Sequence, residues 1–438
     1  MSDATANYSD PNVTPPMGEA IPLGIQHVLA MFASNVTPSI LVAGAAGLAF
    51  GGAEQVYLIQ MAMLFAGIAT LFQTIGFGPV GARLPIMQGT SFAFVGVLAG
   101  IAATQGLGVA LTSCLIGGAI HFALGAVIKN LRSYFPPLVT GLVILAIGLY
   151  LIPVAIKYAA GGAADFQMAA DSFGSLKHWT VAGSVVVVAL GCKFFAKGIV
   201  SNAGILIGMI VAYILAYFMG MVSFGGVGKA SWITGLQVMP YGFEFNLGAV
   251  VGVTIVSIVS AIETVGDASA TAKAGAGRDA TDEEIAGATY ADGLGTAVAA
   301  IFGGLPNTSF SQNVGIVGMT GVMSRHVVTI GGAVLILCGL VPKIGAVIAS
   351  MPLPVLGGGV IVMFGMVASA GLNMLTEVNM NRRNMVIIAI SLAVGLGFNL
   401  VPSAVQYLPG IWKTLATSAV APTAVCAILL NQILPQED

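Results

Sequence analysis

Two carboxylates four residues apart interrupt one of the most apolar stretches of the chain, Glu263 and Asp267 in SIVSAIETVGDASATAK. At that spacing they share one face of a helix. A third carboxylate, Asp292, sits in ATYADGLGTAV, and a lone imidazole, His27, in GIQHVLAMF. Ionisable groups in such surroundings are costly and point to a substrate or proton path. A carboxylate there can accept N–H groups from a ligand or carry a proton. Each residue also has a plainer reading. Glu263 and Asp267 can be helix-end carboxylates reaching water, Asp292 a cap or tie to a neighbouring helix, and His27 a satisfied structural histidine. Glu244, near the start of its apolar run, reads as solvated.

A second chemical feature is LPNTSFSQNVGIVGMTG, residues 305–321, where Pro306 and six polar side chains stand between two apolar runs. Other patterns are weaker. No GxSxG, HExxH or His/Cys cluster occurs, so neither a hydrolase nor a metal centre is expected, and no cofactor is implied. Cys114, Cys192, Cys338 and Cys426 are scattered in apolar context and read as structural thiols. GAGRDATDEE has no preceding strand and reads as a solvated loop, and the 59 glycines fit close helix packing.

The elements that must position these groups are membrane helices. The 438 residues are 57% hydrophobic and 7% charged, with mean hydropathy +0.97. A soluble chain of this length needs far more polar surface, so the expectation is an all-α polytopic membrane protein. Apolar runs are expected near 21–46, 54–77, 84–103, 106–128, 135–155, 177–196, 199–222, 245–270, 284–304, 306–323, 326–348, 354–372, 383–401 and 409–433, about fourteen spans in all. Residues 1–20 lack Lys and Arg and read as a disordered tail. Arg83, Lys129, Arg132, Lys193, Lys197, Lys273, Arg278, Arg325, Arg382 and Arg383 fall on one side. Only Lys157, Lys177, Lys229, Lys343 and Lys413 fall on the other, which places both termini in the cytoplasm. A net charge of −2 gives no sign of nucleic-acid binding.

The two halves match in places. PLVTGLVILAIG from Pro137 and PVLGGGVIVMFG from Pro354 both read P-x3-G-x-V-I-x3-G, and TSF recurs at 90–92 and 308–310. If each half holds seven spans, an odd number, the second copy is inverted, as in secondary transporters that bind substrate where helices break. MQGTSFAF (87–94) and PNTSFSQN (306–313) are then one element seen twice: a short strand ahead of a half-helix starting near Phe94 or Val314. Irregular backbone at that depth must be buried in protein or line a cavity.

At Glu263, Asp292 and the run Gln312-Asn313-x-Gly315-x4-Thr320-Gly321, the sequence resembles the nucleobase–ascorbate transporter family. Gln26-His27, QGTSF with Gln88 and Ser91, ETVGDASAT and ADGL match it too, in order along nearly the whole chain. The resemblance implies a 7+7 inverted repeat with segments 3 and 10 broken. It implies a core domain (21–134 and 245–348) working against a gate domain (135–222 and 354–433). It also implies a homodimer in the lipid of the inner membrane, with a proton as coupling ion. By the same resemblance Glu263 and Gln312 bind the base edge, backbone near Phe92 and Ser311 adds hydrogen bonds, and Phe310 stacks on the ring. Asn313, Asp292, Asp267 and His27 support the site. Uracil permeases resemble this pattern with Glu for Gln312 and Arg for Gly321, so the pair here points to xanthine and/or uric acid. A Gln amide offers one donor and one acceptor, which suits the alternating C=O and N–H edge of an oxidised purine. Asn313-Val314 departs from the family's commoner Asn-Asn pair and leaves xanthine against urate open, as does Ser91 beside Phe92. Another nucleobase, or an anion on the same fold, remain the rival cargoes.

Overall fold

The computed structural model describes residues 8–131, 134, 136–162, 170–233 and 235–435. Arg132, counted above among the cytoplasmic cations, lies outside them. In chain order the elements are α1 (Met17–Ala45), α2 (Ala53–Thr74), β1 (Gln88–Thr90), α3 (Val95–Gln105), α4 (Leu107–Leu124), α5 (Ile128–Leu131), α6 (Pro137–Ala159), α7 (Leu176–Phe195), α8 (Ile199–Asn202), α9 (Gly204–Phe218) and α10 (Gly225–Lys229). The second half holds α11 (Leu247–Ala276), α12 (Asp282–Ile301), β2 (Asn307–Ser309), α13 (Ser311–Thr320), α14 (Arg325–Leu340), α15 (Pro342–Ala349), α16 (Leu353–Thr376), α17 (Arg382–Leu400), α18 (Gly410–Thr417) and α19 (Val420–Ile433). Among the described residues eight helices are long and apolar enough to cross a membrane. A ninth span forms if α14 and α15, bent by 80°, count as one. The chain is a multi-pass helical membrane protein.

Several expected spans are interrupted. The run at 326–348 breaks at Pro342, which has no N–H to donate back, and Val341 before it is extended with φ −107° and ψ 95°. The run at 409–433 breaks between α18 and α19, where Ala419 takes φ 58°. The tail also differs from expectation. Residues 1–7 are outside the described residues, but 8–13 are tied down and α1 begins at Met17. Met323 N donates to Tyr8 O (2.7 Å), Arg325 N to Pro11 O (3.0 Å) and Ser324 Oγ to Val13 O (2.6 Å). Tyr8 also donates its hydroxyl to Glu19 (2.9 Å). A polar segment without its own core is held here by its backbone groups, which a composition argument does not see.

Helix ends carry recognisable signals. Thr281 and Glu284 form a capping box at the start of α12, and Gly277 and Gly321 close α11 and α13 in the left-handed conformation. Helix pairs pack through small residues. A Cβ on Gly148 of α6 would lie 2.4 Å from Ala368 N of α16, and one on Gly357 only 2.1 Å from Ala159 N. Gly371 stands equally close to Leu145 N, so the two matched proline-led segments cross antiparallel in backbone contact. The other close pairs are α2 with α14, α4 with α12 and α7 with α9.

At the centre, β1 and β2 pair antiparallel in the register Gln88↔Ser309, Gly89↔Thr308 and Thr90↔Asn307. All six residues are buried. Three-residue strands leave most backbone groups without a ladder partner, and side chains supply what is missing. Thr90 N donates to Asn35 Oδ1 (2.8 Å), Gln88 N to Thr70 Oγ1 (3.0 Å) and Asn307 N to Thr296 Oγ1 (3.0 Å). Ser91 N reaches Pro306 O (2.9 Å) and Phe310 N reaches Met87 O (3.0 Å). Helix α3 starts at Val95, next to the expected Phe94, whereas α13 starts at Ser311, three residues before the expected Val314.

Candidate functional site

The strand crossing forms one wall of a cavity of about 780 Å³. Of the expected ligand-contacting residues, Glu263, Gln312, Phe92, Phe310 and Ser311 all line it. Glu263 comes from the middle of α11, and Ser311 and Gln312 from the first turn of α13. The facing wall comes from α6 and α16 and includes Ile144, Ile147 and Met363. Phe92 meets Phe364 edge-on at 5.2 Å between ring centres, and Ser34 donates to Met363 Sδ at 2.9 Å, so the walls touch across one end.

Most polar side chains on the strand side are already engaged. Thr90 Oγ1 donates to Asn35 Oδ1 (3.2 Å), and Ser260 Oγ donates to Thr308 Oγ1 (3.2 Å). Ser309 and Ser311 both donate to Asp267, at 2.6 and 2.7 Å. Glu263 and Gln312 are different. Both are half-buried in the cavity wall, and neither side chain makes a hydrogen bond to a described residue. One offers acceptors only and the other a donor and an acceptor, a set that matches the edge of a flat heterocycle.

Behind this wall lie the supporting residues. Asp292 is fully buried and accepts from Gln88 Nε2 (2.5 Å), Gln73 Nε2 (3.1 Å) and Thr264 Oγ1, which ties α12 to β1, α2 and α11. Asn313 Nδ2 donates to the His27 carbonyl (3.0 Å) and meets His27 Nδ1 at 3.0 Å, which fixes α13 to α1. Ser91 Oγ accepts from Ala93 N (3.3 Å) at the end of β1. Asp292, Gln88, Asn313, His27 and Ser91 therefore do not line the cavity; they brace the elements that do. Asp267 braces the rim through two serines.

Sequence reading missed part of this bracing. Asn35 and Gln73 are polar residues inside apolar spans, the same signal that drew attention to His27. Tyr150 of α6 accepts from Gly96 N (2.9 Å) at the uncapped start of α3, and nothing local to its sequence marks it.

Residues 18–404 match the model described as Permease family. The chain belongs to the nucleobase–ascorbate transporter family. It is 36% identical over 411 residues to the uric acid permease PucK of Bacillus subtilis, covering 93% of this chain and 94% of that protein. It is 34% identical over 417 residues to the xanthine permease of the same organism, covering 94% and 93%. Like the other members of that family it is a permease. Its fold is that of the transmembrane domain of the cyanobacterial bicarbonate transporter BicA, with TM-score 0.59 at 13% identity over 96% of this chain and 98% of that one. At that identity the likeness speaks to fold alone.

Proposed function

We propose that the protein is a proton-coupled importer of oxidised purines, xanthine and/or uric acid. The observation that carries this reading is the pair Glu263 and Gln312, the two polar side chains beside the strand crossing left without partners in a wall where the others are bonded. Gln312 would pair its amide with adjacent C=O and N–H groups of the ligand, and Glu263 would accept a further N–H. Phe310 and Phe92 would hold the ring faces. Among the described residues no cation is bonded to Glu263, so it can exchange a proton as the cavity fills and empties. The identities to a xanthine and a uric acid permease support the ligand class. An inorganic anion cargo, suggested by fold alone, fits less well because it offers no C=O beside an N–H to Gln312.

The motion we infer is a core of α1–α4 and α11–α15 shifting against a gate of α6–α9 and α16–α19. The antiparallel meetings of β1 with β2 and of α6 with α16 support a 7+7 inverted repeat of about fourteen spans. The basic-residue bias supports an inner-membrane location with both termini cytoplasmic. A homodimer is expected from the family. The test is uptake of labelled xanthine and urate by proteoliposomes with and without an imposed proton gradient. Gradient-driven accumulation that Glu263→Gln abolishes is the expected result. Accumulation unaffected by the gradient, or intact in Glu263→Gln, overturns the coupling. Uptake of uracil in preference to both purines overturns the substrate class.

A further inference from the structure

The cavity extends well past the Glu263 and Gln312 site. Its far end is built by α7, α8 and α16, and there the wall turns polar again with Lys193, Asn202 and Asn373. These residues belong to one end of the molecule. Ser201 donates to Lys193 O (3.2 Å), so α8 folds back on the last turn of α7. Helices α7 and α16 run parallel. His178 near the start of α7 contacts Ala160 O at 2.8 Å, and a Cβ on nearby Gly162 would touch Leu353 at the start of α16. Lys193 and Asn373, each in the last turn of its helix, therefore share an end. Asn373 lies ten residues beyond Met363, or about 15 Å along the helix. A single purine bound at the strand crossing cannot reach it.

All three residues have unused donors. Asn202 Nδ2 is buried without a partner. The Lys193 ammonium and the Asn373 amide make no hydrogen bond or ion pair with a described residue. Lys193 and Glu263 are the ionisable side chains among the described residues of the lining, one at each end. A site with a carboxylate thus faces one with an ammonium group across the length of the cavity.

We propose that Lys193, Asn202 and Asn373 form a second substrate station, which holds the carbonyl-rich or anionic edge of an oxopurine as it leaves for the cytoplasm. The proposal rests on the oxopurine reading above and extends it. Carbonyl oxygens released by Gln312 meet three donors at the mouth instead of bare hydrocarbon, and the cation favours urate over neutral xanthine. Lys193 needs no exact geometry for this, because its four-carbon stem sweeps the mouth.

The experiment uses the full chain in inside-out and right-side-out vesicles, with xanthine and urate as probes and KM measured from each face. Lys193→Met and Asn202→Ala should each raise the KM for urate at the cytoplasmic face about fivefold, the worth of one net hydrogen bond. The outside KM should move less than twofold, and Lys193→Arg should restore the cytoplasmic value. The loss in Lys193→Met should be smaller for xanthine than for urate and should shrink at high salt. Unchanged cytoplasmic KM in both variants, or a fall in Vmax at constant KM, overturns the station and leaves Lys193 as a lipid-facing anchor. Equilibrium binding to the wild-type protein separates the two readings. If neither purine binds and Gln312→Glu changes nothing, the substrate reading fails and takes the station with it.

Discussion

Asp292 tests whether acceptor geometry holds the site together. Three donors from three different elements converge on its carboxylate at 0% exposure: Gln73 of α2, Gln88 of β1 and Thr264 of α11. In Asp292→Ala the Thr264 hydroxyl can turn to the Ser260 carbonyl and Gln73 keeps its bond to Ala288 O, but one N–H of each glutamine loses its acceptor where water does not reach. At about 1–3 kcal/mol for each of these two orphaned groups the loss is about 2–6 kcal/mol before relaxation, set against a typical stability of about 5–15 kcal/mol. Asp292→Asn keeps the shape. Its Oδ1 can still accept from both glutamines, while its Nδ2 faces Thr264 Oγ1. That hydroxyl can turn its proton to the Ser260 carbonyl, already 3.2 Å away, and accept from the new amide. The Asn variant should therefore stay within about 1 kcal/mol of the parent, with one rearranged neutral bond. Thermal unfolding of the detergent-purified protein, with nucleobase binding per folded molecule, reads both effects. An Ala variant as stable as the parent would refute the hub. An Asn variant as damaged as Ala would show that the negative charge, not the arrangement of acceptors, is what the three donors require.

Three further outcomes follow from the same geometry. Gly89→Ala should cost about 1–3 kcal/mol by overpacking and weaken binding, because its Cβ would lie 2.5 Å from Phe310 Cε2 and 2.8 Å from Asn35 Oδ1; an unchanged melting curve and affinity would count against it. Asp267→Ala and Ser309→Ala should be non-additive, with a coupling of about 1 kcal/mol in a double-mutant stability cycle, whereas additivity would mean that the 2.6 Å bond adds nothing. Gly96→Ala places a methyl 2.9 Å from Tyr150 Oη, across the proposed core–gate boundary; it should change the alkylation rate of single cysteines placed in the cavity, and rates matching the parent would rule out this contact as a conformational tie.

What could be read in the sequence was what periodicity and anomaly carry. Long apolar runs gave the helices, and polar residues where none were affordable marked Glu263, Asp267, Asp292 and the 305–321 stretch. The TSF repeat located both strands before any coordinates, because a three-residue element repeated at half the chain length leaves a trace that a single copy does not. The roles of these residues were less legible. Asp292 and Asn313 are as polar as Glu263 and Gln312, but their partners include residues 204 and 286 positions away, so spacing along the chain cannot say which side chains are already bonded. The same long-range contacts hid Asn35, Gln73 and Tyr150. Pro342 was visible, yet the 80° bend it permits depends on where α14 and α15 pack.

In the proposed site, the distinction between braced and free side chains would set selectivity. Two short strands end in open backbone, and a membrane interior punishes every unpaired group. Asn35, Thr70 and Thr296 satisfy those groups, the two aspartates bond the polar side chains around them, and in doing so each gives up its own capacity to bind a ligand. Some amide oxygens, those of Gln88, Asn307 and Asn313, stay buried without partners, but they sit behind the wall. What remains to face the cavity beside the strand crossing is a carboxylate on a rigid helix and an amide at the start of another. A substrate that offers an N–H to Glu263 and a C=O beside an N–H to Gln312 replaces water at both without stranding a polar atom. A ring lacking either group leaves one stranded, at about 1–3 kcal/mol or roughly 5- to 150-fold in affinity. On the proposed reading, discrimination among nucleobases would follow from how thoroughly the rest of the wall has been hydrogen-bonded away.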